Sequence, residues 1–128
     1  MEAALRPLLV FAVGGIAYGT IEMLYRRYTH WTMILAGGLA FALLYLAYTT
    51  FAAGWSIWLK ALLGSGVITG IELAVGAVFN LGLGWRIWDY SGQPLNFKGQ
   101  ICLLYSGLWY LLSLPIAWIS AYLYRIWF

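Results

Sequence analysis

The chain has 128 residues, of which 64% are hydrophobic, 19% aromatic and only 9% charged. A soluble domain carries roughly 25% charged residues, so a water-facing surface cannot be assembled from this composition. That excludes a soluble enzyme, a disordered linker and a nucleic-acid-binding domain, and leaves an integral membrane protein with little mass outside the bilayer.

A membrane-spanning helix needs roughly 20 mostly apolar residues, and four such runs occur in order. The polar start, Met1 to Pro7, is not followed by a small-residue cleavage pattern, so the first apolar run reads as a retained helix. It covers residues 7–25, with Pro7 suited to a first helical turn. The second covers 31–53 and the third 58–83. The fourth covers 99–124 and should kink at Pro115, which removes a backbone hydrogen bond. Together they predict an all-α polytopic fold of four transmembrane helices in one transmembrane domain over residues 1–128.

The connections carry most of the polarity. Loop one (25–30) is short and basic, and loop two (54–56) is a tight turn. Loop three, from Gly84 to Lys98, is the longest, and Asn96 is placed to cap the fourth helix. Trp31, Trp55, Trp58, Trp85, Trp88 and Trp127 fall near span ends, where an amphipathic indole prefers to sit. Arg26, Arg27, Arg86 and Lys98 lie on one side, and Arg6, Lys60 and Arg125 on the other. Four against three barely sets an orientation; the rule would put both termini outside. A nearly balanced chain of this kind is compatible with insertion both ways and an antiparallel dimer.

Residues 14–22 (GGIAYGTIE) echo residues 64–72 (GSGVITGIE), with Gly14, Ile21 and Glu22 matching Gly64, Ile71 and Glu72. Two parallel helical hairpins would produce such an echo.

Glu22 and Glu72 are the leading candidate site residues. A charge at the bilayer centre costs about 2.5–3.5 kcal/mol on insertion scales, so each acid must face protein or water. Gly15, Gly19, Glu22 and Arg26 share one face of the first helix, and Glu22 can pair with Arg26 along it. Thr69, Glu72, Gly76 and Asn80 share a face of the third helix, where Gly66 and Gly70 form a GxxxG for close packing. Two readings stand: an ion, proton or cationic-substrate site lined by the two carboxylates, or internal polar clamps joining Glu22 to Arg26 and Glu72 to Asn80 or a tyrosine.

Loop three either folds back into the membrane region or lies at the interface, pinned by Trp85 and Trp88 with Asp89 paired to Arg86 or Lys98. His30 reads as an interfacial or pH-responsive group. Tyr105, Trp109 and Trp118 read as packing or lipid-facing aromatics, with a cation cage as the alternative. Cys102 is a small buried hydrophobe, because a lone cysteine makes no disulfide within the chain. One His, one Cys and four scattered acids predict no metal site, and no enzyme or nucleotide-binding motif occurs. No catalytic residue and no cofactor are therefore expected.

The run from Asn80 to Trp109, NLGLGWRIWDYSGQPLNFKGQICLLYSGLW, resembles the “Putative ABC-transporter type IV” (CmpB-like) family in its Asn80, its WDYS (88–91), its Asn96 and its GQIC (99–102). The stretches YGTIE (18–22) and RRYTHWTM (26–33) look like a short prokaryotic branch of the same family. The N-R-G-F-L and P-I-Y-G motif of longer members is absent. The matching positions are Glu22, His30, Trp31, Asn80, Trp88, Asp89, Tyr90, Ser91, Asn96, Gly99, Gln100 and Trp109. The resemblance implies a small multi-span protein of a prokaryotic cytoplasmic membrane. It also implies a transport role that would need a separate ATPase partner, since this chain has no nucleotide-binding motif.

The first expectation is an oligomeric transporter or channel, a dimer or larger, for a cation, a proton or a small cationic solute. Glu22 and Glu72 would supply coordination, with Asn80, and Asp89, Asn96 and Gln100 would shape one mouth. Arg26, His30, Trp88, Tyr90, Ser91 and Trp109 would support them. Membrane lipid, and a separate ATPase or another membrane protein, are the expected partners, and nucleic acid is not. The alternative is a non-transporting assembly component that binds lipid or a partner. An intramembrane enzyme acting on lipid ranks last, because no nucleophile–base pair is visible.

Overall fold

A computed structural model describes residues 5–127, and for Arg26 and Trp127 the backbone alone. The elements in order are α1 (Leu5–Arg26), α2 (Trp31–Thr49), α3 (Ile57–Val75) continuing as a π-helical segment (Gly76–Gly82), β1 (Asn96–Phe97), β2 (Ile101–Cys102) and α4 (Leu103–Trp127). Four helices are long and apolar enough to cross a membrane. Their outer faces would not survive in water: Leu24 is 80% exposed and Trp118 79%. Such a surface is stable only against hydrocarbon.

The helices pack as two hairpins. α1 lies along α2, α3 lies along α4, and α2 joins the pairs by touching both α3 and α4. Without a hydrophobic drive between helices in lipid, close backbone approach supplies the packing. A Cβ at Gly14 would strike Phe41, one at Gly38 would meet the Phe11 carbonyl 2.6 Å away, and one at Gly64 would run into Ser113 and Tyr48. The echoed glycines 14 and 64 thus each admit the next helix of their own hairpin. Gly66 and Gly70 differ, because a Cβ at either meets nothing within 4 Å. Their GxxxG is not used between helices of this chain.

Several boundaries depart from the expectation. α2 stops at Thr49 instead of residue 53. Thr49 and Thr50 hydroxyls donate back to the carbonyls of Tyr45 and Leu46 (2.8 and 2.5 Å), and Ala52 N–H returns to Ala47. Tyr48 then pins the turn by donating to the Lys60 carbonyl at 2.5 Å. α4 starts at Leu103 instead of residue 99, because residues 96–102 form a small hairpin. Asn96 stands opposite Cys102, and Phe97 opposite Ile101. Asn96 therefore does not cap α4. Lys98 and Gly99 both have positive φ (53° and 72°), and Gln100 N–H donates to the Phe97 carbonyl at 3.0 Å. The chain thus turns through two left-handed residues, and the register leaves residues 98–100 as a three-residue hairpin loop. Pro115 stands inside α4, where it leaves the Leu111 carbonyl without its usual helical donor.

Candidate functional site

Glu72 sits on α3, one turn before the π-helical segment, and both of its carboxylate oxygens are held. Trp109 on α4 donates its indole N–H to Oε1 at 2.7 Å, and Tyr90 of loop three donates its hydroxyl to Oε2 at 2.9 Å. The Tyr90 ring stacks on Tyr105 with centroids 4.6 Å apart and planes 8° from parallel. The neighbouring turn of the same face is also satisfied from α4. Ser65 donates to the Ser106 carbonyl, and Thr69 and Ser106 hydroxyls lie 2.7 Å apart. Every polar group on this stripe thus finds a partner across the α3/α4 seam, as hydrocarbon demands.

Tyr90 reaches so deep because loop three folds back along α3. Gly76 makes the room, since a Cβ there would strike the Gln100 amide. Asn80 fixes the returning chain. Its amide donates to Gln100 Oε1 (2.8 Å) and the Trp88 carbonyl (3.3 Å), and its Oδ1 accepts from Ile87 N–H (2.7 Å). The π-helical turn aims it. In α geometry Asn80 would lie roughly 80° from the Glu72 direction, but an i→i+5 helix turns through only about 80° per residue and brings the two within about 20°. Trp88 N–H donates to the Gln100 carbonyl at 3.0 Å, and Gln100 Nε2 to the Lys98 carbonyl at 2.9 Å. Asn80 and Gln100 are both buried.

The outer part of the loop is an exposed turn. Asp89 accepts from Ser91 N–H at 2.8 Å. That bond, a second from the Ser91 hydroxyl and the Arg86 charge hold the Asp89 carboxyl below its ordinary value. Asn96 donates to the Ser91 and Gln93 carbonyls (3.2 and 2.9 Å) and accepts from Gly99 N–H at 3.0 Å. Tyr90 N–H donates to the Gly99 carbonyl at 2.7 Å, so the hairpin and the WDYS segment are tied together. His30 caps α2 by accepting from Thr32 N–H at 3.3 Å, and its ring lies against Trp31 and Trp85. Loops one and three therefore meet through this aromatic group, which Phe79 completes.

A cavity of about 190 Å³ opens among the four helices beside Glu72. Tyr18, Trp88, Tyr90 and Trp109 line it with Glu72, and the remaining wall is apolar. Ala17 and Ile21 on α1, and Pro115 and Ile119 on α4, also line it and are themselves exposed. The cavity thus opens sideways between α1 and α4. Its far end is closed by the packing of Val10, Phe41 and Tyr45 with Ile116 and Leu123.

Of the residues singled out from the sequence, Glu72, Trp88, Tyr90 and Trp109 come together on this cavity. Asn80 and Gln100 organise the loop behind it, while Asp89, Ser91 and Asn96 shape the exposed turn. Glu22 is 5% exposed and does not line the cavity. It accepts the Tyr18 hydroxyl at 2.6 Å, one helical turn away. The Arg26 side chain, its expected partner, lies outside the described residues. Glu72 is not bonded to Asn80; a tyrosine and a tryptophan hold it instead. Tyr18 is the lining residue that sequence reasoning missed. Its signal was present, four residues before Glu22 and on the same helical face. Among the described residues, no group of three or more His, Cys, Asp and Glu is placed to hold a metal.

Comparison with known proteins adds two findings. The family model described as “Putative ABC-transporter type IV” matches residues 7–127, nearly the whole chain. No solved structure matches it.

Proposed function

The chain belongs to the “Putative ABC-transporter type IV” family, and from that premise we propose that it moves a small cation, a proton or a cationic solute across the membrane, with Glu72 as the counter-charge. A transport-related membrane protein is the coarser statement that the family and the four apolar helices support. The single observation that carries the finer one is the position of Glu72: a carboxylate on the wall of a cavity otherwise lined by aromatic and apolar side chains, its two oxygens oriented by Trp109 and Tyr90. Trp109 and Tyr90 are neutral donors that orient the carboxylate, and the apolar wall lowers the local dielectric, which strengthens attraction between a carboxylate and a positive guest.

Glu22 has a lesser part in this reading, because it stands four residues before the end of α1 and off the cavity wall. Asn80, Gln100, Asp89 and Asn96 position loop three, which brings Trp88 and Tyr90 to the site. The open Gly66–Gly70 face of α3 supports a homo-oligomer, since small residues let helices approach closely in lipid. A separate ATPase would be a further partner.

One observation favours the alternative of a non-transporting component. Both Glu72 oxygens have internal donors, as a structural clamp requires. Flux in proteoliposomes separates the readings. Wild type should carry cations or protons down an imposed gradient, and Glu72→Gln should lose at least nine-tenths of that flux while keeping its elution profile. Equal flux in the two proteins would remove Glu72 from the transport path.

A further inference from the structure

The chemistry of the cavity wall narrows the guest. This step rests on the reading of Glu72 as a counter-charge. A bare hard cation such as Ca²⁺ or Mg²⁺ needs about six oxygen ligands. Here the oxygen-bearing side chains on the wall are Glu72, Tyr18 and Tyr90, and the Tyr18 hydroxyl is committed to Glu22. The rest is aromatic and aliphatic. An apolar cavity of ~150 Å³ stays dry and takes a guest of benzene size; this one, at about 190 Å³, is on that scale. Water to hydrate a metal ion therefore has no polar wall to bond.

An alkylated ammonium ion has the opposite needs. Its charge is spread over methyl or alkyl groups, it donates no strong hydrogen bonds, and it is drawn to aromatic faces. The indole N–H of Trp109 bonds Glu72 in its ring plane, so the indole face lies at right angles to that bond, while one face of Tyr90 is taken by Tyr105. The lateral opening between α1 and α4 is lined by Ala17, Ile21, Pro115 and Ile119, which suits an apolar substituent.

We propose that this cavity binds an organic cation of the alkylated ammonium class, with its charge beside Glu72 and its alkyl groups against Tyr18, Trp88 and Trp109. Such a guest can arrive from water or from the bilayer, and two probes distinguish these sources. Tetramethylammonium stays in water, whereas dodecyltrimethylammonium dissolves in the membrane. Binding of each to the protein in nanodiscs is measured by titration calorimetry at constant ionic strength, with protein-free nanodiscs subtracted.

Saturable tetramethylammonium binding is expected where sodium and potassium give none. It should weaken at least tenfold, or 1.4 kcal/mol, in Glu72→Gln and in Trp109→Leu, and much less in Trp109→Phe. Should Trp109→Leu fail to fold, Ala17→Phe takes its place: the position is exposed, so the new ring fills the cavity without displacing a packed neighbour, and binding should be lost. Dodecyltrimethylammonium that competes with the small ion and binds more tightly assigns the guest to the bilayer; tighter binding of the small ion assigns it to water. Absence of saturable binding, equal heats with sodium, or affinity unchanged in both Glu72→Gln and Ala17→Phe overturns the proposal. Failure here is distinct from failure of the transport reading. Flux that needs Glu72 but is not inhibited by either probe sinks the ammonium site alone, whereas binding without any flux sinks transport alone.

Discussion

Asn80 offers the sharpest test of how loop three is held. Replacement by alanine removes the acceptor for Ile87 N–H at 2.7 Å and the donor to Gln100 Oε1 at 2.8 Å. Both partners belong to buried residues, so each is stranded away from water. A buried group left unsatisfied costs about 1–3 kcal/mol. The third bond, to the Trp88 carbonyl at 3.3 Å, is long and adds little. Gln100 recovers part of its loss by rotating, so about 3 kcal/mol is the expected destabilisation of the folded-back loop. At 1.4 kcal/mol per decade, that raises the open population about 100-fold. The chain carries its own reporter: Cys102 is the single cysteine, pairs with Asn96 in the hairpin and is 3% exposed. Maleimide labelling in nanodiscs should therefore accelerate about 100-fold in Asn80→Ala, because labelling through fast local opening tracks the open population. A rate within twofold of wild type would refute the reasoning, since it would mean that Asn80 does not hold the loop.

Three further outcomes are expected. Gly64→Ala should lower the thermal midpoint in detergent by the equivalent of about 1–3 kcal/mol of overpacking against Ser113 and Tyr48, whereas Gly66→Ala, with open space at its Cβ, should be neutral or slightly stabilising. Gly66→Leu with Gly70→Leu should leave the monomer's midpoint unchanged and shift sedimentation toward monomer. Asp89 is held below its ordinary 3.8 by Ser91 and Arg86, so its contribution to loop order is complete above about pH 4 and is lost as pH falls through the depressed value. The protection factors of residues 89–93, taken against the intrinsic exchange rate at each pH, should fall on acidification through that range in wild type and stay flat in Asp89→Asn.

The four spans were legible because each is a local property: an apolar run of sufficient length needs no knowledge of its neighbours. The inward stripe of Thr69 and Glu72 was legible for the same reason, through helical spacing. What lay beyond the sequence was relational. The hairpin at 96–102 turns on Lys98 and Gly99, and lysine is an unusual residue in a left-handed position where asparagine is favoured. Two-residue strands are also too short to show alternation, so Ile101 and Cys102 blended into the apolar run of α4. The π-helical segment GAVFNLG has no local marker. It coincides with the tertiary bonds of Asn80 and the seating of Gln100 on Gly76, neither of which spacing reveals. Trp109 and Tyr90 could be named as candidates, but their meeting on Glu72 depends on the relative height of α3, α4 and the loop.

That meeting links the exposed turn to the buried carboxylate. Tyr90 N–H is fastened to Gly99 in the hairpin, its ring to Tyr105 and its hydroxyl to Glu72. A hydrogen bond to a charged acceptor is worth about 1.5–3 kcal/mol, against about 0.5–1.5 for a neutral one. A proton on Glu72 would therefore weaken the Tyr90 latch by about 1 kcal/mol. Linkage is reciprocal, so any loosening of loop three should also change how strongly the site holds the proposed guest. On the proposed reading, Tyr90 would thus couple the occupancy of the cavity to the conformation of the loop that supplies part of its wall.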